Sequence, residues 1–412
     1  MIKYFFISLF FLIPILIDVY IWGSFRSFFL NRIYFSVIFW CVSLFSILII
    51  LYPFIFGRIE NPSLFTTLSY GFLFVFSITK LFIVIPLLID DIFRLLRLIY
   101  SFAFSGGNFH AKSIERLMFL KKTAVILGAI SFSTFLYGIF FGRFNFKKHY
   151  VKINIPRLSN LNKPIKIIQI SDLHLGSFHS KKHMLKAVKI INSENPDLIF
   201  FTGDLVNTYS SEANSFIPIL KQLKSKHGMF SVLGNHDYGE YGGFDKNTED
   251  GLLKWNDNFI KMKKIHKEIG FKLLLNEHEK IKINNRQINI VGVENWGKGR
   301  FSKYGDIDKA CEGINNNYLS ILLSHDPTHW DIVKNSRHII DLQMSGHTHG
   351  MQFGIEIPGF RWSPAKWRYK NWAGLYKNKN SYLYVNRGLG HLGYPGRVGI
   401  MPEITICELY SA

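Results

Sequence analysis

With 412 residues the chain has room for more than one domain. Its net charge of +20 leaves two readings open: an anionic partner such as nucleic acid, anionic lipid or a phosphorylated substrate, or a plain surplus of lysine in the overall usage. Three widely separated cysteines, Cys41, Cys311 and Cys407, with no C-x-x-C pair, point to neither a thiolate zinc knuckle nor a disulfide framework.

Composition divides the chain near residue 150. The first 145 residues hold 12 of the 49 basic and 5 of the 29 acidic residues and are mostly Phe, Ile, Leu, Ser and Val. Residues 4–22, 34–56, 68–89 and 124–141 read as four apolar stretches long enough to cross a bilayer, which takes about 20 helical residues. Four such stretches in tandem, with short polar breaks, argue for a transmembrane region over residues 1–145 rather than for core helices. Asp18 lies near a helix end and Lys80 has a stem long enough to snorkel, so neither demands a mechanism.

Orientation is nearly tied by positive charge. One arrangement puts Arg26, Arg32, Arg94, Arg97, Lys112, Arg116, Lys121 and Lys122 inside; the other puts Lys3, Arg58, Arg143, Lys147, Lys148, Lys152 and Arg157 there. The stretch RLMFLKK (Arg116–Lys122) resembles a twin-arginine export signal, with Leu117 where the second arginine belongs. It favours residues 90–123 inside and everything after Gly142 outside, hence an extracytoplasmic domain on a bacterial inner membrane.

Residues 146–164 read as a linker and 165–412 as an α/β domain, in which short Ile/Val/Leu/Phe runs alternate with helix-compatible polar stretches. Several of those runs end in metal-ligand residue types. IKIIQIS leads to Asp172 and His174, and PDLIFFTGD to Asp204. GMFSVLGNHD leads to Asn235, His236 and Asp237, LSILLSHDP to His325, and DLQMSGHTHG to His347 and His349. Ligand sites gather at the carboxyl ends of strands in α/β sheets. Asp, Asn and His without Cys suit divalent Mn, Fe, Zn or Mg. Gly203, Gly234, Gly346 and Gly350 permit tight turns beside them.

The order D-x-H, GD, GNHD, SH, GHTH resembles the calcineurin-like metallophosphoesterase superfamily over residues 160–410. The stretch YVNRGLGHLGYPGRVGIMPEI (Tyr384–Ile404) resembles its membrane-associated bacterial branch, the YaeI and YkuE type. The resemblance implies a four-layer α/β/β/α sandwich of two mixed sheets flanked by helices, and two adjoining divalent metals, with manganese favoured. Asp172, His174 and His349 would hold one metal, Asn235, His325 and His347 the other, and Asp204 would bridge them with its two oxygens. A metal-bound hydroxide would attack phosphorus in line, with His236 protonating the leaving oxygen.

One departure bears on the substrate. The family's protein phosphatases write GDxVDRG and GNHE where this chain has GDLVNTY and GNHD. Asn207 stands where those enzymes pair an aspartate with the catalytic histidine, so support for His236 is expected elsewhere, with Asp237 the candidate, and a phosphoprotein substrate is disfavoured. After His349, Phe360, Trp362, Trp367, Tyr369 and Trp372 interleave with Arg361, Lys366, Arg368 and Lys370. These are side chains of a bilayer interface. Arg361, Trp362, Trp367 and Arg368 are therefore the expected substrate-binding residues, facing a phospholipid or lipid-linked phosphate; the alternative is that several of the aromatics form the loop's own core. The reading that results is a membrane-anchored phosphoesterase acting on a lipid-linked phosphate ester or diphosphate. A nuclease or nucleotide phosphodiesterase is the runner-up, and a non-enzymatic membrane sensor or binding platform a third reading.

Overall fold

The computed structural model describes residues 2–56, 62–104, 113–158 and 163–411. Arg58 and Lys112, and the side chains of Lys3 and Arg116, all used above to weigh orientation, lie outside what is described. The chain divides into two units, Met1–Ile139 and Phe140–Ala412.

The first unit is helical: α1 (Ile2–Ser24), α2 (Arg26–Asn31), α3 (Ile33–Phe56), α4 (Leu64–Phe104) and α5 (Ser113–Phe140). Ile33–Tyr52, Leu64–Phe104 and Met118–Phe144 are long and apolar enough to cross a membrane, and Leu12–Ser24 adds a shorter apolar helical stretch. Leu, Ile and Phe side chains along them stay exposed, as for helices that are apolar all round and meet lipid rather than a core.

Two expectations change here. Residues 90–104, taken as part of a loop, continue α4, whose 41 residues span about 60 Å against a hydrocarbon core of about 30 Å. The RLMFLKK stretch likewise lies inside α5 rather than ahead of it. Nor do Asp18 and Lys80 reach for the interface. Both are buried, and Lys80 Nζ sits 2.5 Å from Asp18 Oδ1 while the Ser43 hydroxyl donates to the other carboxylate oxygen. A lone charge in apolar surroundings costs several kcal/mol, so the two charges pair and join α1 to α4.

The second unit is built on two six-stranded mixed sheets. The first runs β1 (Lys147–Ile155), β14 (Glu403–Ser411), β2 (Ile165–Ile170), β3 (Leu198–Phe201), β4 (Met229–Ser231), β5 (Lys272–Leu273) in spatial order. The second runs β12 (Gly374–Asn378), β13 (Ser381–Val385), β9 (Leu342–Ser345), β8 (Leu319–Leu323), β7 (Arg286–Gly292), β6 (Glu277–Ile283). A separate hairpin joins β10 (Ile355–Ile357) to β11 (Phe360–Trp362). Because β1 pairs in parallel with β14 along its whole length, residues 147–155 are part of the sheet and not linker; residues 159–162 lie outside the described residues.

Alternation along β2 sends Ile165 and Ile167 to one face and Ile168 and Ile170 to the other. The first pair packs with Leu198, Phe200, Ile288, Ile321 and Met344 between the sheets. The second packs with Met184, Val188 and Ile191 of helix α6 (Lys181–Ser193) and with Met262 and Ile265 of the long helix Glu249–Ile269. Short helices at Ile307–Ala310 and Trp330–Val333 cover Val291 and Leu322 on the far sheet. The result is the expected helix/sheet/sheet/helix sandwich. Strands β2, β3, β8 and β9, parallel to their partners β4, β7 and β13, bring their carboxyl ends to one rim.

Candidate metal centre

Every sequence-derived ligand sits on a loop that leaves the carboxyl end of β2, β3, β4, β8 or β9, and nearly all are buried. Asp172, His174, Asp204, His347 and His349 also share a left-handed backbone, with φ between 46° and 73°. For residues other than glycine that conformation costs on the order of 1 kcal/mol each, and it persists where surrounding structure imposes it, typically at functional sites. Gly203 (φ 94°) and Gly234 meet at the centre, where a Cβ on Gly234 would lie 2.2 Å from Asp204 Oδ1.

Three overlapping donor groups form at this rim, one of them His174, Asp204 and His236. Asp172, His174 and His349 make another: His349 Nε2 is 3.2 Å from Asp172 Oδ1 and 3.0 Å from His174 Nε2. Asp204, His325 and His347 make the third, with His325 Nε2 3.1 Å from Asp204 Oδ2 and 3.2 Å from His347 Nδ1. Asp204 Oδ2 faces both of these last groups, since His174 Nε2 is 3.6 Å away. Its Oδ1 accepts from the His236 amide at 2.9 Å, so one oxygen lies between the groups rather than two, as expected above.

The outer partners orient the rings. His325 Nδ1 donates to the Thr202 carbonyl at 2.7 Å, and His174 Nδ1 donates to Asn207 Oδ1 at 3.1 Å. His347 Nε2 meets the Tyr369 hydroxyl at 2.9 Å, with the Asp326 carboxylate 3.7 Å away favouring an N–H there. His325 Nε2 and His347 Nδ1 thus converge on each other beside Asp204 Oδ2. Asn235 donates to the Tyr241 hydroxyl at 2.9 Å and leaves its Oδ1 buried, without a hydrogen-bond partner among the described residues. Converging imidazole nitrogens beside a carboxylate, and an orphaned amide oxygen, fit divalent cations, and outer partners of this kind are what hold metal-binding imidazoles in place.

Electrostatics agree. Burial raises the cost of ionising Asp172 and Asp204, but the surrounding histidines outweigh it and hold both carboxyls below the usual carboxylate range. Burial disfavours the His325 imidazolium, yet Asp204 and Asp172 overcome it and push that pKa up to about 10. Burial and neighbouring histidines hold His174 well below its ordinary value. This site concentrates negative charge and calls for cations.

These features identify the chain's family. The calcineurin-like phosphoesterase profile matches residues 165–351, and a profile for the transmembrane domain of calcineurin-like phosphoesterases matches residues 3–143. The chain belongs to the calcineurin-like phosphoesterases. It is 30% identical over 250 residues to the uncharacterized metallophosphoesterase YkuE of Bacillus subtilis, covering 60% of this chain and 79% of that one. To a Helicobacter pylori metallophosphoesterase it is 30% identical over 318 residues, 76% of this chain and 78% of that one. To the phosphodiesterase YaeI of Escherichia coli it is 27% identical over 297 residues, covering 72% and 99%. The protein is a membrane-associated metallophosphoesterase, a phosphoric ester hydrolase whose family implies divalent metal ions.

Around this phosphoesterase centre some expected residues move. Asp237 does not support His236: its buried carboxylate accepts from the amides of Asp204, Leu205, Val206 and Gly234 at 2.7–3.3 Å, and so braces the loop carrying Asp204. His236 is half-buried and donates from Nδ1 to the Asn207 carbonyl at 2.6 Å, with its ring 4.5 Å from Tyr241 and 4.9 Å from His174.

The aromatic-basic segment splits. Tyr369 and Trp372 are buried, as the loop-core alternative held. Arg368 lies over the rings of Phe301 and Tyr369, which flank His347. Arg361, expected at the substrate, instead lies over Trp372; Trp362 and Trp367 pack on each other in the exposed hairpin region rather than on the ligands. Tyr369, Asp326, Thr202 and Phe301 were not singled out as site residues, because their role is set by rings folded against them and no motif spacing carries it.

Proposed function

We propose that this metallophosphoesterase hydrolyses a lipid-linked phosphate ester or diphosphate, with Asp172, His174 and His349 holding one cation, Asn235, His325 and His347 a second, and Asp204 between them. Bound cations would supply Lewis-acid charge to the phosphate oxygens and lower the pKa of water at the site; manganese is the ion we favour. Asp204 and Asp172 keep the site anionic so that the cations are retained. With Nδ1 committed to Asn207, His236 has Nε2 left to serve the leaving oxygen, holding the proton that an alkoxide needs to depart. Arg368, stacked over Tyr369, offers a guanidinium beside His347 for a phosphate oxygen.

The observation that carries the lipid assignment is the continuity of one segment. Tyr369, against His347, belongs to the same run as the exposed Lys366, Trp367 and Arg368, in a chain that also has membrane-spanning helices. The test is turnover by the purified full chain of a lipid phosphate in vesicles against single-stranded DNA. Hydrolysis of DNA with inert lipid would replace this reading by the nuclease one. Fusing alkaline phosphatase or green fluorescent protein after residue 412 tests the extracytoplasmic placement: a dark phosphatase fusion and a bright fluorescent one would reverse it.

A further inference from the structure

The hairpin β10–β11 opens six residues after His349. Its strands close through Pro358-Gly359, a proline followed by a glycine at φ 79°, the arrangement of a tight type II turn. Register puts Ile355 opposite Trp362, Glu356 opposite Arg361 and Ile357 opposite Phe360. Side chains alternate across a strand, and opposed pairs share a face. One face is therefore Glu356 and Arg361, and it is fastened to the domain: Glu356 pairs with Arg387 at 2.5 Å and Arg361 lies over Trp372.

The other face is Ile355, Ile357, Phe360 and Trp362, and all but the half-buried Trp362 turn to solvent. Ile355, Ile357 and Phe360 are 49%, 58% and 52% exposed, and Trp367, whose ring abuts Trp362, is 79% exposed. A hairpin that holds its charged face against the domain, with Glu356 half-buried, while Ile355, Ile357 and Phe360 stay exposed departs from the usual alternation. Lys366, Arg368 and Lys370 stand exposed just beyond it. Apolar and tryptophan side chains beside lysine and arginine, in a chain that spans a membrane, match an anionic bilayer in both hydrophobicity and charge.

The geometry points to this face as the part of the domain that seats in the headgroup layer of an anionic membrane, a contact that deepens the lipid-phosphate reading and rests on it for its purpose. Seated there, the hairpin would hold the rim of the metal centre, which begins at His349, against the layer where lipid phosphates lie. Arg361 and Glu356 would keep it docked on the domain, and the apolar face would anchor it in the layer.

The test uses the full chain reconstituted in phosphatidylcholine–phosphatidylglycerol vesicles with plain or brominated acyl chains. Subtracting the emission of Trp367→Phe from that of wild type isolates Trp367 from the other tryptophans. Quenching of that component by brominated chains, weaker in vesicles lacking phosphatidylglycerol, is the expected result; an unquenched Trp367 overturns the proposal. In parallel, Ile357→Ser/Phe360→Ser is assayed on bis(p-nitrophenyl) phosphate and on phosphatidic acid in the vesicles. We expect the first rate unchanged and the second lowered at least about tenfold, since even partial insertion of two apolar side chains contributes that much. Equal losses on both overturn it. Quenching without any turnover of phosphatidic acid keeps the membrane contact and removes the lipid-substrate reading. Turnover without quenching does the reverse. Disulfide cross-linking between copies carrying Ile357→Cys would assign the face to a second copy and also overturn the proposal.

Discussion

The ring of His236 is held by the main-chain carbonyl of Asn207, 2.6 Å from Nδ1, at the position where related protein phosphatases use an aspartate side chain. The freed Asn207 side chain turns instead to His174, 3.1 Å from its Nδ1. One residue therefore positions a proposed proton donor with its backbone and a proposed ligand with its side chain. The amide of Asn207 is fixed in turn by Glu212 at 2.6 Å.

That division predicts separable effects. Asn207→Ala keeps the carbonyl on His236 and loses the hold on His174, so metal affinity should fall about 10- to 100-fold. Turnover at saturating metal should stay near wild type. Metal titration followed by rate measurement checks it; a collapse of kcat at saturating metal with unchanged affinity would contradict it.

His236→Ala removes the proposed proton donor and leaves every ligand in place. We expect kcat to fall about 10²- to 10⁴-fold on a substrate with a poor leaving group, and far less on a nitrophenyl ester, whose leaving oxygen needs no proton. Metal content, measured by elemental analysis, should not change. Full turnover of the poor leaving group would remove His236 from its role.

Tyr369→Phe deletes the hydroxyl 2.9 Å from His347 Nε2 while keeping the buried ring. Freed from that partner, His347 loses orientation, and metal affinity should drop about tenfold with the fold intact. Calorimetric titration of the metal-free protein with Mn²⁺ reads this directly.

The His325 pKa sets a pH dependence. In the metal-free protein it is raised from 6.5 to about 10, so the protonated ring contributes stability that is fully present below pH 6.5 and lost as pH rises through about 10. Metal-free protein should therefore lose stability between those limits. A cation replaces that proton, so metal binding at pH 8 should release protons in weakly buffered solution. Denaturant unfolding across pH, and proton release on metal addition, check the two halves; a pH-independent metal-free stability over that window would contradict the first.

In the helical unit, Asp18→Asn or Lys80→Met alone strands one buried charge and should destabilise by about 3–5 kcal/mol. Changing both together should recover most of the loss, and unfolding of the detergent-solubilised variants measures it. Equal and additive losses would mean that the pair contributes no coupling.

Much of the protein was legible in the chain. Asp172, His174, Asp204, Asn235, His236, His325, His347 and His349 follow apolar runs short enough to be buried strands, and parallel strands of one sheet end on the same rim. The apolar stretches announced the membrane part, since helices of that length with so few charges have nowhere else to go.

What the local pattern left open were partners distant along the chain. Whether Lys80 snorkels or pairs depends on where α1 lies beside α4. Whether Asp237 reaches His236 depends on which amides surround its carboxylate, and four backbone amides surround it. Residues 147–155 read as linker because their polar alternation suits an exposed edge strand as well as a loop; only the nine-residue parallel pairing with β14 makes them a strand. Composition marked residues 350–376 as an aromatic and basic segment, yet which aromatics face out was decided by the hairpin register that sets Glu356 against Arg387 and Arg361 over Trp372. Residue type and spacing specify chemistry and local period, whereas pairing, burial and the direction of a side chain are set by contacts that exist only once the chain has folded.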